Sequence, residues 1–189
     1  ASRPYRFDLV DVQRQMMTNL GQLIHRKAAE AFRSKDREAF TLHSGRFLGM
    51  LADMDTLLRT RSEYSFDRWL TEARSWGETE EEKNQMERDA TSLVTIWGAD
   101  GDPRIFDYSW REWAGLINGY YLPRWQKFYT MLQQHLDEGT SYEEAGLPQI
   151  YGREAFRAND FYHALAEWEL SYVDTYGKAR IPATEGDEV

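Results

Sequence analysis

Residues 79–98, "TEEEKNQMERDATSLVTIWG", contain the signals of one complete amphipathic helix. Thr79 and Glu82 have the spacing of a capping box, in which the threonine oxygen accepts a hydrogen bond from a backbone amide and the glutamate reaches back. Apolar residues then recur at helical spacing before Gly98 ends the pattern, at Met86, Ala90, Leu93 and Trp97. The stretch predicts a helix with this stripe packed inward.

The helical period recurs before this stretch, and no segment of the chain shows sustained period-two alternation. A first predicted helix follows Asp8 and ends near Phe32, with an inward stripe of Leu9, Val12, Met16, Leu20 and Leu23. A second uses Ser34 as its N-cap and has a stripe of Phe40, Phe47, Leu51, Met54 and Leu58. Gly45 and Gly49 inside it indicate close packing against another helix. A third ends at Gly77 and carries Phe66, Trp69, Leu70 and Ala73.

Three further helices are predicted after residue 98. Asp107 offers a carboxylate cap for a fifth helix, and Pro123 predicts a kink or boundary because its ring crowds the carbonyl of Gly119. A sixth helix ends at Gly139, and the last ends at Gly177 and bears Phe161, Leu165, Trp168 and Tyr172. The sequence predicts one all-α domain, residues 1–180, a bundle of about seven helices with an aromatic-rich loop between the fourth and fifth. A flexible acidic tail follows at residues 181–189.

Composition excludes several classes of function. With 23 basic and 32 acidic side chains, the chain has a net charge of −9 and no basic stripe, so we expect no nucleic-acid partner. No apolar run approaches the roughly 20 residues that a membrane span requires. The absence of cysteine excludes disulfides, thiolate metal ligands and cysteine nucleophiles.

No arrangement of residues predicts a catalytic or metal site. Glu167 and Glu169 point about 200° apart around a helix, so they cannot share a substrate. His163 and Glu167 can meet on one helical face, but two ligands are too few for zinc. Aromatic residues are the remaining candidates: Trp97 is either a core residue or a ring presented at a helix end, and Tyr108 follows a cap. Such rings can stack on the C–H face of a sugar.

Four segments carry a resemblance to a known family: "YRFDLVDVQRQ", "FDRWLTEARSWGETEEEKNQMERDA", "LVTIWG" and "IFDYSWREWAGLINGYYLPRW". In this order they resemble the C-terminal domain of α-N-acetylglucosaminidases, family 89 of the glycoside hydrolases, from about Tyr5 to Tyr176. The resemblance implies a parent chain with a small N-terminal α/β domain, a catalytic (β/α)8-type barrel and this helical domain. It also implies hydrolysis of terminal α-linked N-acetylglucosamine with retention, by two glutamates of the barrel.

The resemblance assigns no catalytic residue, metal or cofactor to this chain. The implied partners are the catalytic barrel of the same parent chain and an N-acetylglucosamine-containing glycan. We expect the parent to be exported if bacterial (periplasmic, cell-surface or secreted) and lysosomal if animal. In the sugar pocket, the motifs place Trp97 against the sugar, Ile105 as apolar wall, and Tyr108 as an aromatic edge with a hydroxyl. Arg124, after the proline, is expected to be structural and either to pair with a carboxylate or to cap carbonyls.

The chain departs from the family pattern just before Trp97. Ala90, Thr91 and Leu93 stand where an asparagine-arginine pair and a glutamine are usual, so the substrate preference and the activity of the parent stay open. Two alternatives also stay open, a free-standing helical interaction module and a carbohydrate-binding module that acts without a barrel. The hydrolase hypothesis predicts a broad apolar face where the barrel docks, with Trp97 and Tyr108 near its rim.

Overall fold

The structure is a computed structural model that describes residues 2–97, 107–140 and 160–175. Within these ranges the chain forms six α-helices: α1 Arg3–Arg33, α2 Arg37–Leu58, α3 Phe66–Arg74, α4 Glu80–Leu93, α5 Leu122–Glu138 and α6 Asp160–Val173. A 3-10 turn spans Ser62–Tyr64, and a π-helical turn, Ile117–Tyr121, leads directly into α5. The predicted all-α class is confirmed. Ile105, Gly177 and the tail at 181–189 lie outside the described residues.

Among the described residues, the helices pack around three clusters of buried side chains. Aromatic and aliphatic side chains of α1, α2 and α5 make one core, centred on Phe40, Phe47, Tyr129 and Leu132. A second core joins α3 and α4 to the π-helical turn, with Phe66, Leu70, Val94 and Tyr120 at its centre and Trp168 of α6 packed against it. A third cluster joins α1 and α2 to the π-helical turn, with Met54 and Ile117 among its members. The stripes predicted for α2 and α3 face these cores as expected. No described helix is long and apolar enough to cross a membrane.

Helix α1 turns a different face inward from the one predicted. It begins at Arg3, with a proline in its first turn, and not after Asp8. Its buried side carries mostly small residues, including Gly21, Ala28 and Ala31, which let α2 approach closely. The predicted stripe is instead at least half exposed, at Leu9 54%, Val12 58%, Met16 59%, Leu20 50% and Leu23 52%. The prediction is wrong because α1 has two apolar faces, and the larger side chains lie on the outer one.

Helix α4 confirms its predicted start and the burial of Ala90, but not the burial of Met86 and Leu93. Thr79 and Glu82 form the capping box with both hydrogen bonds present. Met86 and Leu93 are 37% and 40% exposed, whereas Glu87 is fully buried. Arg74 of α3 donates to Glu87 over 2.8 Å, and this buried ion pair brings the neighbouring face of α4, with Ala90 and Thr91, into the core.

The π-helical turn that leads into α5 is capped at its start by Asp55, a residue far away in the sequence. Residues 107–113 are not helical, so the predicted cap at Asp107 is wrong. The buried carboxylate of Asp55 on α2 accepts hydrogen bonds from the backbone N–H groups of Gly115 and Asn118, at 2.7 and 3.1 Å. The boundary predicted at Pro123 is confirmed, because the proline lies in the first turn of α5, directly after the π-helical turn. Likewise α2 is capped by Asp36, which accepts from Ala39, and not by Ser34.

Candidate functional site

Trp97 and Tyr108 lie side by side at the two ends of the segment 98–106. Their ring centroids are 4.8 Å apart and the ring planes are inclined by 55°. Tyr108 is 64% exposed and Trp97 is half-buried. Two of the three sequence-predicted site residues are therefore brought together at the surface, while Ile105 lies outside the described residues. We call Trp97 and Tyr108 the ring pair.

The indole of the ring pair is held by a tight turn at the end of α4. The Trp97 backbone has a φ of 60°, in the left-handed region that residues other than glycine rarely adopt. Its N–H donates to the carbonyl of Ser92 over 2.8 Å. The Tyr121 hydroxyl donates to the carbonyl of Val94, also over 2.8 Å, and ties this turn to the π-helical turn. These contacts offset a backbone cost of about 1–3 kcal/mol.

The phenol of the ring pair follows a second residue with left-handed backbone. Asp107 has a φ of 50°, and its carboxylate accepts two hydrogen bonds from Arg124, at 2.8 and 2.6 Å. The Nε of Arg124 lies 2.7 Å from a carboxylate oxygen of Glu169 on α6. Of the two roles predicted for Arg124, the structure shows the pairing with a carboxylate, and it identifies both partners. Arg124 thus anchors the residue before Tyr108 to α5 and α6.

The electrostatics of this anchor keep Arg124 charged. Burial alone disfavours the guanidinium, but the carboxylates of Glu169 and Asp107 outweigh it and raise the pKa of Arg124 above its ordinary value. Burial also raises the pKa of Glu169, and the charge of Arg124 opposes this shift. Asp107 and Glu169 are therefore engaged with one arginine in a structural role.

Sequence reasoning missed Asp107 and Glu169 as members of this anchor. A signal for Glu169 was available, because it lies four residues from both Leu165 and Val173, which are buried on the same face of α6. A charged residue in the middle of an apolar helical face is typical of a buried ion pair. Asp107 offered no such signal, since its position after the loop is equally typical of a helix cap.

The other groups weighed from the sequence do not form a site. His163 and Glu167 lie 3.7 Å apart on the surface of α6, with side chains 66% and 71% exposed. In the part of the chain that the structure describes, no group of three or more histidines and carboxylates could hold a metal ion.

The fold and the ring pair together define an all-helical domain that brings two aromatic rings together. The chain belongs to the family described as the alpha-N-acetylglucosaminidase (NAGLU) C-terminal domain, whose profile matches residues 1–188. Human α-N-acetylglucosaminidase is 32% identical over 145 residues, which make up 76% of this chain and 19% of the human protein.

Solved structures agree with this assignment. A family 89 glycoside hydrolase from Clostridium perfringens, in complex with PUGNAc, superposes with a TM-score of 0.74 at 27% identity, over 92% of this chain and 18% of that chain. A variant from the same organism, with two glutamates replaced by glutamine and in complex with its substrate GlcNAc-α-1,4-galactose, gives a TM-score of 0.75 at 26% identity. That match covers 97% of this chain and 20% of the other. The chain thus spans about a fifth of the length of these relatives.

Proposed function

We propose that this chain serves a family 89 glycosidase by packing on its catalytic barrel and lining the pocket for terminal α-linked N-acetylglucosamine. Trp97, Ile105 and Tyr108 are the proposed lining residues. One observation carries the proposal: the two predicted aromatic residues, 11 positions apart in the sequence, meet at the surface with their rings 4.8 Å apart. Tyr108 is 64% exposed, so at least one ring of the pair is open to a ligand.

The geometry of the ring pair suits a pyranose. Rings inclined by 55° make a corner with two apolar walls, where a flat stack would offer only one. The C–H face of a sugar packs against an aromatic face, and the exposed Tyr108 hydroxyl can exchange a hydrogen bond with a sugar hydroxyl. Support for the ligand class comes from the relative that was solved with GlcNAc-α-1,4-galactose.

The reactive carboxyl groups are proposed to belong to the barrel. Retention requires two carboxyl groups about 5–5.5 Å apart, one nucleophile and one acid/base. Among the described residues, Asp107, which directly precedes Tyr108, and Glu169 both bind Arg124 and are not free for that chemistry. This chain is proposed to bind and orient the sugar and to exclude water from one side of the pocket.

The test is Trp97→Ala in the full-length parent enzyme, assayed with an aryl α-N-acetylglucosaminide. Losing one aromatic wall should lower kcat/KM by about 10- to 100-fold, far more than any loss of folded protein at the assay temperature explains. Tyr108→Phe, which keeps the ring, should show a smaller loss that reports on the hydroxyl alone.

Trp76→Ala is the matched control, since Trp76 is 83% exposed and lies outside the ring pair. It should leave kcat/KM unchanged. If Trp97→Ala loses activity only in proportion to lost folded protein, Trp97 is a core residue and the pocket role is wrong.

A further inference from the structure

The outer face of α1 is an apolar strip with no partner among the described residues. Six large apolar side chains follow one another along it at spacings of three or four residues: Tyr5, Leu9, Val12, Met16, Leu20 and Leu23. Each is 50–59% exposed. At 100° per residue, this strip lies about 130° around the helix from the side that packs on the bundle. We call these six residues the α1 strip.

The polar residues around the α1 strip are those of an interface and not of a water-facing helix. Between Leu9 and Leu23, the exposed polar positions are all uncharged amides: Gln13, Gln15, Asn19 and Gln22. Charged residues make up 29% of the whole chain, so this surface is depleted of them. Depletion of charge is what distinguishes the core of a protein interface from ordinary surface.

The two charged residues within this stretch turn away from the α1 strip. Asp11 accepts hydrogen bonds from Arg14 and from the Tyr64 hydroxyl, each over 2.8 Å. Arg14 pairs with Glu112, which also accepts from Thr18 over 2.5 Å. These contacts place Glu112 about 180° around α1 from the α1 strip. Glu112, four residues after Tyr108, therefore contacts the side of α1 opposite to the α1 strip. The expectation that the ring pair lies at the rim of the apolar face stays a prediction.

We propose that the α1 strip is the docking surface for the neighbouring catalytic domain of the same parent chain. The relatives show that such a neighbour is available, since this domain makes up only 18–20% of their chains. The proposal rests on the proposed function only in requiring that the chain be part of a larger protein. It does not depend on what the ring pair binds.

The size of the α1 strip favours a covalently joined neighbour over a second copy. From residue 5 to residue 23 a helix extends about 27 Å, so a strip about 10–12 Å wide buries roughly 300 Å² on each side, or about 600 Å² in total. This total reaches the lower limit of interfaces between domains of one chain, about 600–1,500 Å². It is about half of what separate chains need for stable association. A net charge of −9 on each copy further opposes self-association.

The test compares Leu20→Lys with Leu42→Lys in the full-length parent. Leu20 is in the α1 strip and 50% exposed, whereas Leu42 lies on α2 outside it and is 48% exposed. Because the two leucines are equally exposed within this domain, they should differ only if another domain covers one of them. Leu20→Lys should lower the melting temperature of this domain within the parent by about 2–4 °C for each kcal/mol of interface lost, and it should speed the proteolytic release of this domain. Leu42→Lys should do neither.

Equal behaviour of the two variants would overturn the proposal. So would a parent dimer, seen in sedimentation, that Leu20→Lys converts into monomers of unchanged melting temperature, because a second copy would then be the occupant. Stability and release are measured without substrate, so the result is separate from the ring-pair test. If Leu20→Lys loses stability while Trp97→Ala leaves kcat/KM unchanged, the docking proposal stands and the proposed role of the ring pair in the sugar pocket is wrong.

Discussion

At the residue scale, single side chains in this domain act through partners distant in the sequence. Arg124 joins Asp107 to Glu169 and so holds the backbone just before Tyr108. Asp55 caps a helix that begins about 60 positions later. His25 on α1 is a third case, since its Nδ1 lies 2.8 Å from the hydroxyl of Tyr129 on α5. Each contact joins two elements, so each side chain constrains more of the structure than its own helix.

The buried environment of His25 predicts a pH dependence of stability. Burial, and to a lesser extent the charge of Arg33, lower the pKa of His25 below its ordinary value of 6.5. The unfolded chain therefore binds a proton at a higher pH than the folded chain. Stability is fully present above about pH 6.5 and falls as the pH drops from there towards the folded pKa, at a cost of about 1.4 kcal/mol for each unit of depression.

The measurement is the melting temperature of the chain between pH 7.5 and pH 5. His25→Gln, which can still bond to Tyr129 but does not titrate in this range, should lose less stability over the same interval. A histidine that titrates normally would give parallel curves for the two proteins.

At the element scale, glycines have three different roles. Gly139 ends α5 with a φ of 76°. Gly77 is needed for close approach and not as a helix cap, because a Cβ there would lie 2.5 Å from the backbone nitrogen of Lys83. Gly45 and Gly49 face open space, so the expectation of close helix packing at these positions is wrong. Sequence position alone does not separate these roles.

Alanine substitutions at Gly139 and Gly45 should have opposite effects on stability. Gly139→Ala places a Cβ on a left-handed backbone and should cost about 1–2 kcal/mol of unfolding free energy. Gly45→Ala, in the exposed middle of α2, should gain about 0.5–1 kcal/mol, because alanine loses less backbone entropy on helix formation. Urea unfolding of both variants checks this, and a stabilising Gly139→Ala would mean that α5 ends in another conformation.

At the scale of the whole molecule, the domain is a scaffold with two separate outward surfaces. The core of α1, α2 and α5 supports the α1 strip, and the core of α3, α4 and the π-helical turn supports the ring pair. Such a scaffold can position a neighbour and a ligand independently, which is why the two proposals can be tested by different substitutions.

The 189-residue chain by itself should not hydrolyse an aryl α-N-acetylglucosaminide. The reactive carboxyl groups are proposed to lie in the barrel, and among the described residues Asp107 and Glu169 are bound to Arg124. The assay needs chain shown to be helical by circular dichroism, so that inactivity is not a consequence of unfolding. Turnover that survives repurification would place the chemistry within this domain.

The sequence alone determined what depends on near neighbours in the chain. The capping box at Thr79, the boundary at Pro123 and the left-handed end at Gly139 are local events, and helical periodicity is a local pattern that predicts the all-α class. The motifs also indicated the family, and with it Trp97 and Tyr108 as a related pair.

Only the tertiary structure decided which face of each helix turns inward and which distant groups meet. α1 carries two apolar faces of similar strength, and a hydrophobic pattern does not say which one packs against its own domain. The cap that Asp55 of α2 provides for the π-helical turn depends on elements that meet in space, and so do the carboxylate partners of Arg124. Caps and ion pairs between elements depend on distances that the spacing of residues along one helix does not contain.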